Sequence, residues 1–263
     1  MNFKDKKLYL LDMDGTIYLG NTLFPFTLEF IKAVKENGAR CMYLTNNSSK
    51  GVSDYVIKLK NLGIDANKED FVTSTDATAK YLLEKGYKRI YAMGTPSFVE
   101  HLKSQGLSVT EEIEDEIDCV CLAFDSTLTF KKIEDVCKIL CNKNVAYVAT
   151  HPDLTCPMEY GSVVDLGSLL VGFYNATGKN PVIIGKPEPT MIELAIERAG
   201  VKKEQAVMIG DRLKTDVLSG LNADIDSILV LTGEDNRENT EKYKIYPTEV
   251  LNSIEEITKQ LKK

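Results

Sequence analysis

Nothing in this 263-residue sequence approaches the length of apolar chain needed to cross a membrane. The run that follows the basic start MNFKDKK lasts only from Leu8 to Leu11 before Asp12 interrupts it, too short for the core of a signal peptide. A cytoplasmic location without a membrane partner is expected. Histidines number two, and the six cysteines (Cys41, Cys119, Cys121, Cys137, Cys141 and Cys156) form no C-x-x-C pair. Without that pair or a histidine cluster, zinc is the weaker reading and reduced thiols of a cytosolic chain the stronger. Positive charge is also short: 32 Lys and Arg stand against 39 Asp and Glu, a formal charge of -7. That balance argues against a nucleic-acid polymer or an anionic membrane as partner. Internal repeats and low-complexity tracts are absent too. What remains is an ordinary globular composition, 43% hydrophobic and 27% charged, long enough for one large domain or two small ones.

Chemistry concentrates where short apolar strands stop. Leu8–Leu11 ends at Asp12, with Asp14 two residues on and Gly15 free to turn the chain away. That spacing can set one side chain and one backbone carbonyl beside the same cation, leaving the second carboxyl free to trade protons. A polar turn is the plain alternative. Cys41–Leu44 ends in Thr45, Asn46, Asn47, Ser48 and Ser49. These either hold an oxyanion or cap the helix that carries Val52, Val56 and Leu59. Val182–Ile184 ends in Gly185, Lys186 and Pro187, and the prolines at 187 and 189 restrict the backbone around the lysine. Ala206–Ile209 ends in Gly210 and Asp211, with Asp216 in what reads as the first turn of a helix, where capping is its alternative role.

Between these segments, strands and helices alternate anew. Strands are expected at Phe71–Val72, Arg89–Met93, Ile117–Ala123 and Val145–Thr150, with helices opening near Asp76, Thr95 and Phe130. No charged or proline-rich linker separates them, which points to an inserted α/β domain. The stretch His151–Val164 is a loop by composition and the candidate substrate selector, with His151 and Asp153 at its head. A strand-end histidine is more often a hydrogen-bonded structural residue than a catalyst. Ile228–Leu231 supplies a last strand, and a helix through Ile254 and Ile257 closes the chain.

The expected architecture is therefore α/β: a doubly wound, mainly parallel sheet from residues 1–80 and 181–263, with a smaller inserted α/β domain at 81–180. Such a sheet would converge Asp12, Asp14, Thr45, Asn46, Lys186 and Asp211 on one crevice at the strand carboxyl ends. Three acidic groups and one lysine around a site imply a divalent cation, and oxygen ligands beside a phosphate partner imply Mg²⁺.

In its order DMDGT, TNN, GKPEP and GDRLKTD, the sequence resembles the haloacid dehalogenase-like (HAD) phosphatases over essentially its whole length. It is similar in particular to the NagD-like and p-nitrophenylphosphatase branch, with a Rossmann-like core and a large α/β cap. The resemblance implies Mg²⁺-dependent hydrolysis of a small phosphorylated metabolite. Asp12 would be the nucleophile that becomes an aspartyl-phosphate, and Asp14 the general acid and base. Thr45 and the Asn46 amide would hold phosphoryl oxygens, and Lys186 would orient Asp12. The metal would see Asp12, the Asp14 carbonyl and Asp211, with Asp216 as an outer support. A homodimer through the cap is also implied. Two positions depart from the pattern: His151 stands where relatives carry Asn, and Asp224 lies where Gly is common. Asp tolerates the left-handed conformation a glycine would supply. A phospho-acceptor module that holds the phosphoryl group without turnover, a dehalogenase of the same superfamily and a non-catalytic ligand-binding role remain the alternatives.

Overall fold

The computed structural model describes residues 1–158 and 160–263, the side chains of Pro157 and Met158 apart. Glu159, within the proposed selector loop, lies outside the described residues. The chain forms two compact units, one from Met1–Thr45, Ser53–Val72 and Lys186–Lys263, the other from Asn46–Val52 and Thr73–Gly185.

The first unit opens with β1 (Leu8–Leu11), whose four residues are all buried. A strand covered on both faces reads as a continuous apolar run, and each buried Leu contributes about 1.5–3 kcal/mol. A small hairpin, β2 (Tyr18–Leu19) and β3 (Thr22–Leu23), leads into α1 (Thr27–Glu36), which buries Phe30, Ile31 and Val34. Next come β4 (Arg40–Thr45), α2 (Val52–Asn61) and β5 (Phe71–Thr73).

The second unit carries α3 (Ser74–Lys85), entered through a Thr73–Asp76 capping box and ended by Gly86 at φ +69. It continues through β6 (Ile90–Met93), α4 (Pro96–Ser104), β7 (Val109–Thr110), β8 (Cys119–Leu122), α5 (Phe130–Asn142) and β9 (Ala146–Ala149). The hairpin β10 (Thr155–Met158) with β11 (Gly161–Val164) follows, then α6 (Leu166–Thr177) and β12 (Val182–Ile183). Tyr91, Val120, Leu122, Val136, Ile139, Leu166 and Phe173 pack into this unit's core.

The chain then returns to the first unit through α7 (Thr190–Ala199), β13 (Ala206–Gly210), a π-helical turn at Leu213–Val217 and α8 (Leu218–Asn222). The last elements are β14 (Asp226–Val230), α9 (Arg237–Tyr243), β15 (Glu249–Leu251) and α10 (Glu255–Leu261). Asp224, in the turn before β14, takes the left-handed conformation at φ +59.

The larger sheet has the order β15-β14-β13-β1-β4-β5. β1 pairs in parallel with β13 on one side and β4 on the other. The order reverses at β1, so the carboxyl ends of β13, β1 and β4 border the crevice where open α/β sheets bind ligands. The second sheet, β12-β9-β8-β6-β7, is parallel in every pairing. The architecture is the expected α/β one, with mainly parallel sheets and a Rossmann-like core.

Several local expectations change. The strand before Lys186 pairs with β9 in the second sheet rather than in the core sheet. His151–Val164 is not all loop, because β10 and β11 pair from Thr155↔Val164 to Met158↔Gly161. Thr45–Ser49 does not cap a helix directly, since α2 begins only at Val52. The strand at 228–231 is not the last, because β15 follows it on the sheet edge. All six cysteines are free thiols, and no cysteine joins a metal-like cluster among the described residues. Burial pushes the Cys41 thiol up to about 12, as expected of an inert core thiol.

Candidate active site

β1 delivers Asp12 to its carboxyl end, where the Asp12 amide still bonds Ile209 O at 2.9 Å. β13 delivers Asp211 beside it, and the π-helical turn turns Asp216 back toward the same place. Lys186, just after the chain re-enters the first unit, sends a buried ammonium between them. Its Nζ lies 2.6 Å from Asp12 Oδ1 and 2.6 Å from Asp216 Oδ1, and 3.5 Å from Leu44 O at the end of β4. The three donors of one ammonium are thereby engaged. Asp216 uses its other oxygen to accept from Arg212 N at 3.1 Å, which holds the π-helical turn closed on the site.

Asp211 is held differently. Its Oδ2 accepts from Glu234 N at 2.8 Å, while its buried Oδ1 has no hydrogen-bond partner among the described residues. Backbone closes in on both sides. A Cβ at Gly15 would lie 2.4 Å from Asp211 Oδ2 and one at Gly233 only 2.0 Å away, so neither position admits a side chain while Asp211 stays in place. Gly15 also has φ +84, a conformation that side chains resist. Thr232 Oγ1 donates to Gly15 O at 2.6 Å and ties the two backbone walls together.

The electrostatics follow from three carboxylates around one ammonium. Burial pushes the Asp12 carboxyl up to about 6; Lys186 pulls it down and Asp216 pushes it further up. Asp211 is pushed up to about 8 by burial and by the charges of Asp12 and Asp216. For Lys186 burial opposes the charge, but Asp12 and Asp216 outweigh it and raise the ammonium above its ordinary value. Arg212 adds a second cation nearby, with Nε held 2.8 Å from Glu234. Carboxylate oxygens from Asp12, Asp211 and Asp216 lie within 4.8 Å of one another. An unpartnered buried carboxylate oxygen, oxygen-only donors and excess negative charge together fit a hard divalent cation.

The remaining expected residues are placed as follows. Asp14 is exposed, with Oδ1 accepting from Gly20 N at 3.3 Å across the β2–β3 hairpin. Tyr18 of that hairpin lies under the Lys58 ammonium, 4.0 Å from its ring centre. Thr45 ends β4 and is buried. Asn46, the next residue, counts with the second unit, where its Nδ2 donates to both oxygens of Asp153 at 3.2 and 3.3 Å. His151 is fully buried in that same unit, with Nε2 3.3 Å from Ser48 Oγ. Sequence reasoning passed over Arg212 and the Thr232–Glu234 segment after β14. The available signal was the same as at the other strand ends: an apolar run, Ile228–Leu231, stopping at Thr and Gly.

Comparison with known proteins gives the family of the chain. The chain matches the haloacid dehalogenase-like hydrolase family over residues 9–108 and the HAD-hydrolase-like family over 183–257. It is 33% identical to an acid sugar phosphatase of Staphylococcus saprophyticus, over 99% of this chain and 100% of that one. Its fold is similar to that of the 4-nitrophenylphosphatase of Thermotoga maritima, with a TM-score of 0.92 and 41% identity over 98% of both chains. A glycerol phosphate phosphatase of Mycobacterium tuberculosis in complex with magnesium superposes with a TM-score of 0.88 at 25% identity, covering 99% of this chain and 78% of that one. On sequence and structure alike, the chain belongs to the haloacid dehalogenase-like hydrolases, in the branch of NagD and the p-nitrophenylphosphatases.

Proposed function

We propose that Asp12 is the nucleophile of a Mg²⁺-dependent phosphatase that hydrolyses small phosphomonoesters, sugar phosphates among them. The protein is a hydrolase of phosphoric monoester bonds. One observation supports this reading above the others: a single buried ammonium, Lys186, lies 2.6 Å from both Asp12 and Asp216 while Asp211 keeps an oxygen without a partner among the described residues. The curated sugar phosphatase relative and the structural neighbours that bear phosphatase names support the substrate class.

A carboxylate is a weak nucleophile and a phosphomonoester dianion repels it, so positive charge must stand at the site. Asp12, Asp211 and the Asp14 backbone carbonyl would hold Mg²⁺, with Asp216 supporting Lys186. The ion supplies charge neutralisation on the phosphoryl oxygens. Lys186 fixes the Asp12 carboxylate and adds a second positive charge. Thr45 Oγ and the Asn46 backbone amide, one peptide bond further on, hold phosphoryl oxygens.

In the first step an Asp12 oxygen forms a bond to phosphorus as the ester P–O bond breaks, and the carboxyl proton of Asp14 passes to the leaving oxygen. In the second, ionised Asp14 takes a proton from water, whose oxygen attacks the aspartyl-phosphate at phosphorus. Inorganic phosphate leaves and Asp12 is restored. We assign choice among substrates to the segment 151–164, whose hairpin exposes Tyr160 and Val164.

Hydrolysis of p-nitrophenyl phosphate with and without Mg²⁺ tests the reading. Metal-dependent turnover is expected. A stable phosphoprotein without turnover would instead indicate a phospho-acceptor module, and metal-independent release of halide from a haloacid would indicate a dehalogenase.

A further inference from the structure

The second unit holds a cluster, at the head of the segment assigned to substrate choice, that takes no part in the bond-making and proton-transfer steps. His151 is fully buried, and two carboxylates of the same unit flank its ring. Nδ1 lies 3.5 Å from Asp153 Oδ2, and Nε2 lies 3.8 Å from Asp165 Oδ1. One ligand atom from each of the three residues can be chosen so that all lie within 4.8 Å of one another. Each member is fixed from outside. Asp153 takes both bonds from the Asn46 amide. Asp165 caps α6, accepting from Leu166 N at 2.6 Å. On the imidazole's Nε2 edge, Ser48 Oγ at 3.3 Å also receives Phe124 N at 2.9 Å and lies 3.1 Å from Thr150 Oγ1. Nδ1 is buried and has no hydrogen-bond partner among the described residues.

A buried imidazole nitrogen without a hydrogen-bond partner among the described residues, flanked by two carboxylates, is a donor set that a cation would satisfy. Around a shared ion, bonds of about 2.0–2.2 Å set neighbouring ligand atoms about 3–3.5 Å apart; the 3.5 Å between His151 Nδ1 and Asp153 Oδ2 matches that spacing, and one oxygen of Asp165 completes a set within 4.8 Å. We propose that His151 Nδ1, Asp153 and Asp165 bind a divalent transition-metal ion of the zinc class. A nitrogen beside two oxygens suits such an ion, whereas the all-oxygen set proposed above, Asp12, Asp211 and the Asp14 carbonyl, suits Mg²⁺. The Ser48 and Thr150 hydroxyls can turn so that Nε2–H donates to Ser48 Oγ, the outer contact that orients a metal-binding imidazole. The ion also ties Asp153, and through it Asn46, into one rigid group.

The test uses the full chain, stripped with chelator, saturated with Mg²⁺ and titrated with Co²⁺ as the probe. One Co²⁺ per chain should bind in the presence of Mg²⁺, weakened at least about 10-fold in His151→Asn and unchanged in Asp211→Asn. Asp153→Asn, which keeps the side-chain shape, gives the same loss if His151→Asn fails to fold. Because the chain has only two histidines, proton NMR gives a readout that needs no variant at the site. Bound Co²⁺ should shift the ring signals of His151, assigned by their persistence in His101→Gln. The proposal is overturned if no Co²⁺ binds beyond what Asp211→Asn removes, or if the His151 signals do not move. Either result would make the cluster a plain histidine–carboxylate hydrogen-bonded group.

Discussion

Lys186 Nζ lies 2.6 Å from Asp12 Oδ1 and is itself buried, 3% exposed. Asp216 meets the same ammonium at the same distance, so two carboxylates from distant parts of the chain depend on one cation. Lys186→Met would leave both without their partner. Removing one member of a buried ionic group typically destabilises by about 3–5 kcal/mol. Thermal and denaturant unfolding should show a loss of that order, with part of it recovered in Lys186→Met/Asp216→Asn. Unchanged stability in the single variant would contradict the shared-cation arrangement.

The task proposed for Asp14 is a different one, and its replacement should read differently. Asp14→Asn keeps the shape but moves no proton, so kcat should fall roughly 10²–10⁴-fold. With a good leaving group such as p-nitrophenolate, the first step needs the proton least, so phosphoenzyme should accumulate after a burst of product. Wild-type kinetics would remove Asp14 from the reaction.

The closeness of Gly233 to Asp211 makes a test of the metal site that leaves every carboxylate present. In Gly233→Ala the new Cβ would lie 2.0 Å from Asp211 Oδ2, which must shift. Mg²⁺ affinity should fall about 10–100-fold with the fold retained. Calorimetric titration with Mg²⁺ reads the change directly, and wild-type affinity would mean that Asp211 does not hold the ion.

Asp12 and Asp211 are both harder to ionise in the folded protein than in the unfolded chain, whose carboxyls titrate near about 4. The folded state therefore binds more protons, and stability contributed by the protonated forms is lost as pH rises from that range through about 8, the value reached by Asp211. Chelator-treated protein should lose melting temperature across this window. Saturating Mg²⁺ should flatten the decline and release protons on binding. An identical pH profile with and without the ion would contradict the placement of these carboxylates around it.

Much of this arrangement was legible in the sequence because β1, β4 and β13 each stop abruptly at a polar residue, and a parallel sheet brings such ends together. Lys186 stood out between Gly185 and Pro187, yet its preceding strand belongs to the other sheet, since an apolar run specifies a strand but not its neighbours. Asp216 read as a helix-start residue. Only the π-helical turn sends its carboxylate onto Lys186. The hairpins at 18–23 and 155–164 escaped because their strands are too short, or too mixed in composition, to show a period. Gly15 could be read as a turn, but its second constraint, contact with Asp211, exists only in three dimensions.

The central claim is that Asp12 carries the phosphoryl group. Acid quenching of Asp14→Asn during turnover of p-nitrophenyl phosphate with Mg²⁺, followed by proteolysis and mass spectrometry, locates that group directly. The phosphoryl group is expected on the peptide containing Asp12, absent in Asp12→Asn/Asp14→Asn, with Asp12→Asn itself folded and inactive. A phosphoryl group on another residue, or turnover by folded Asp12→Asn, would contradict the account.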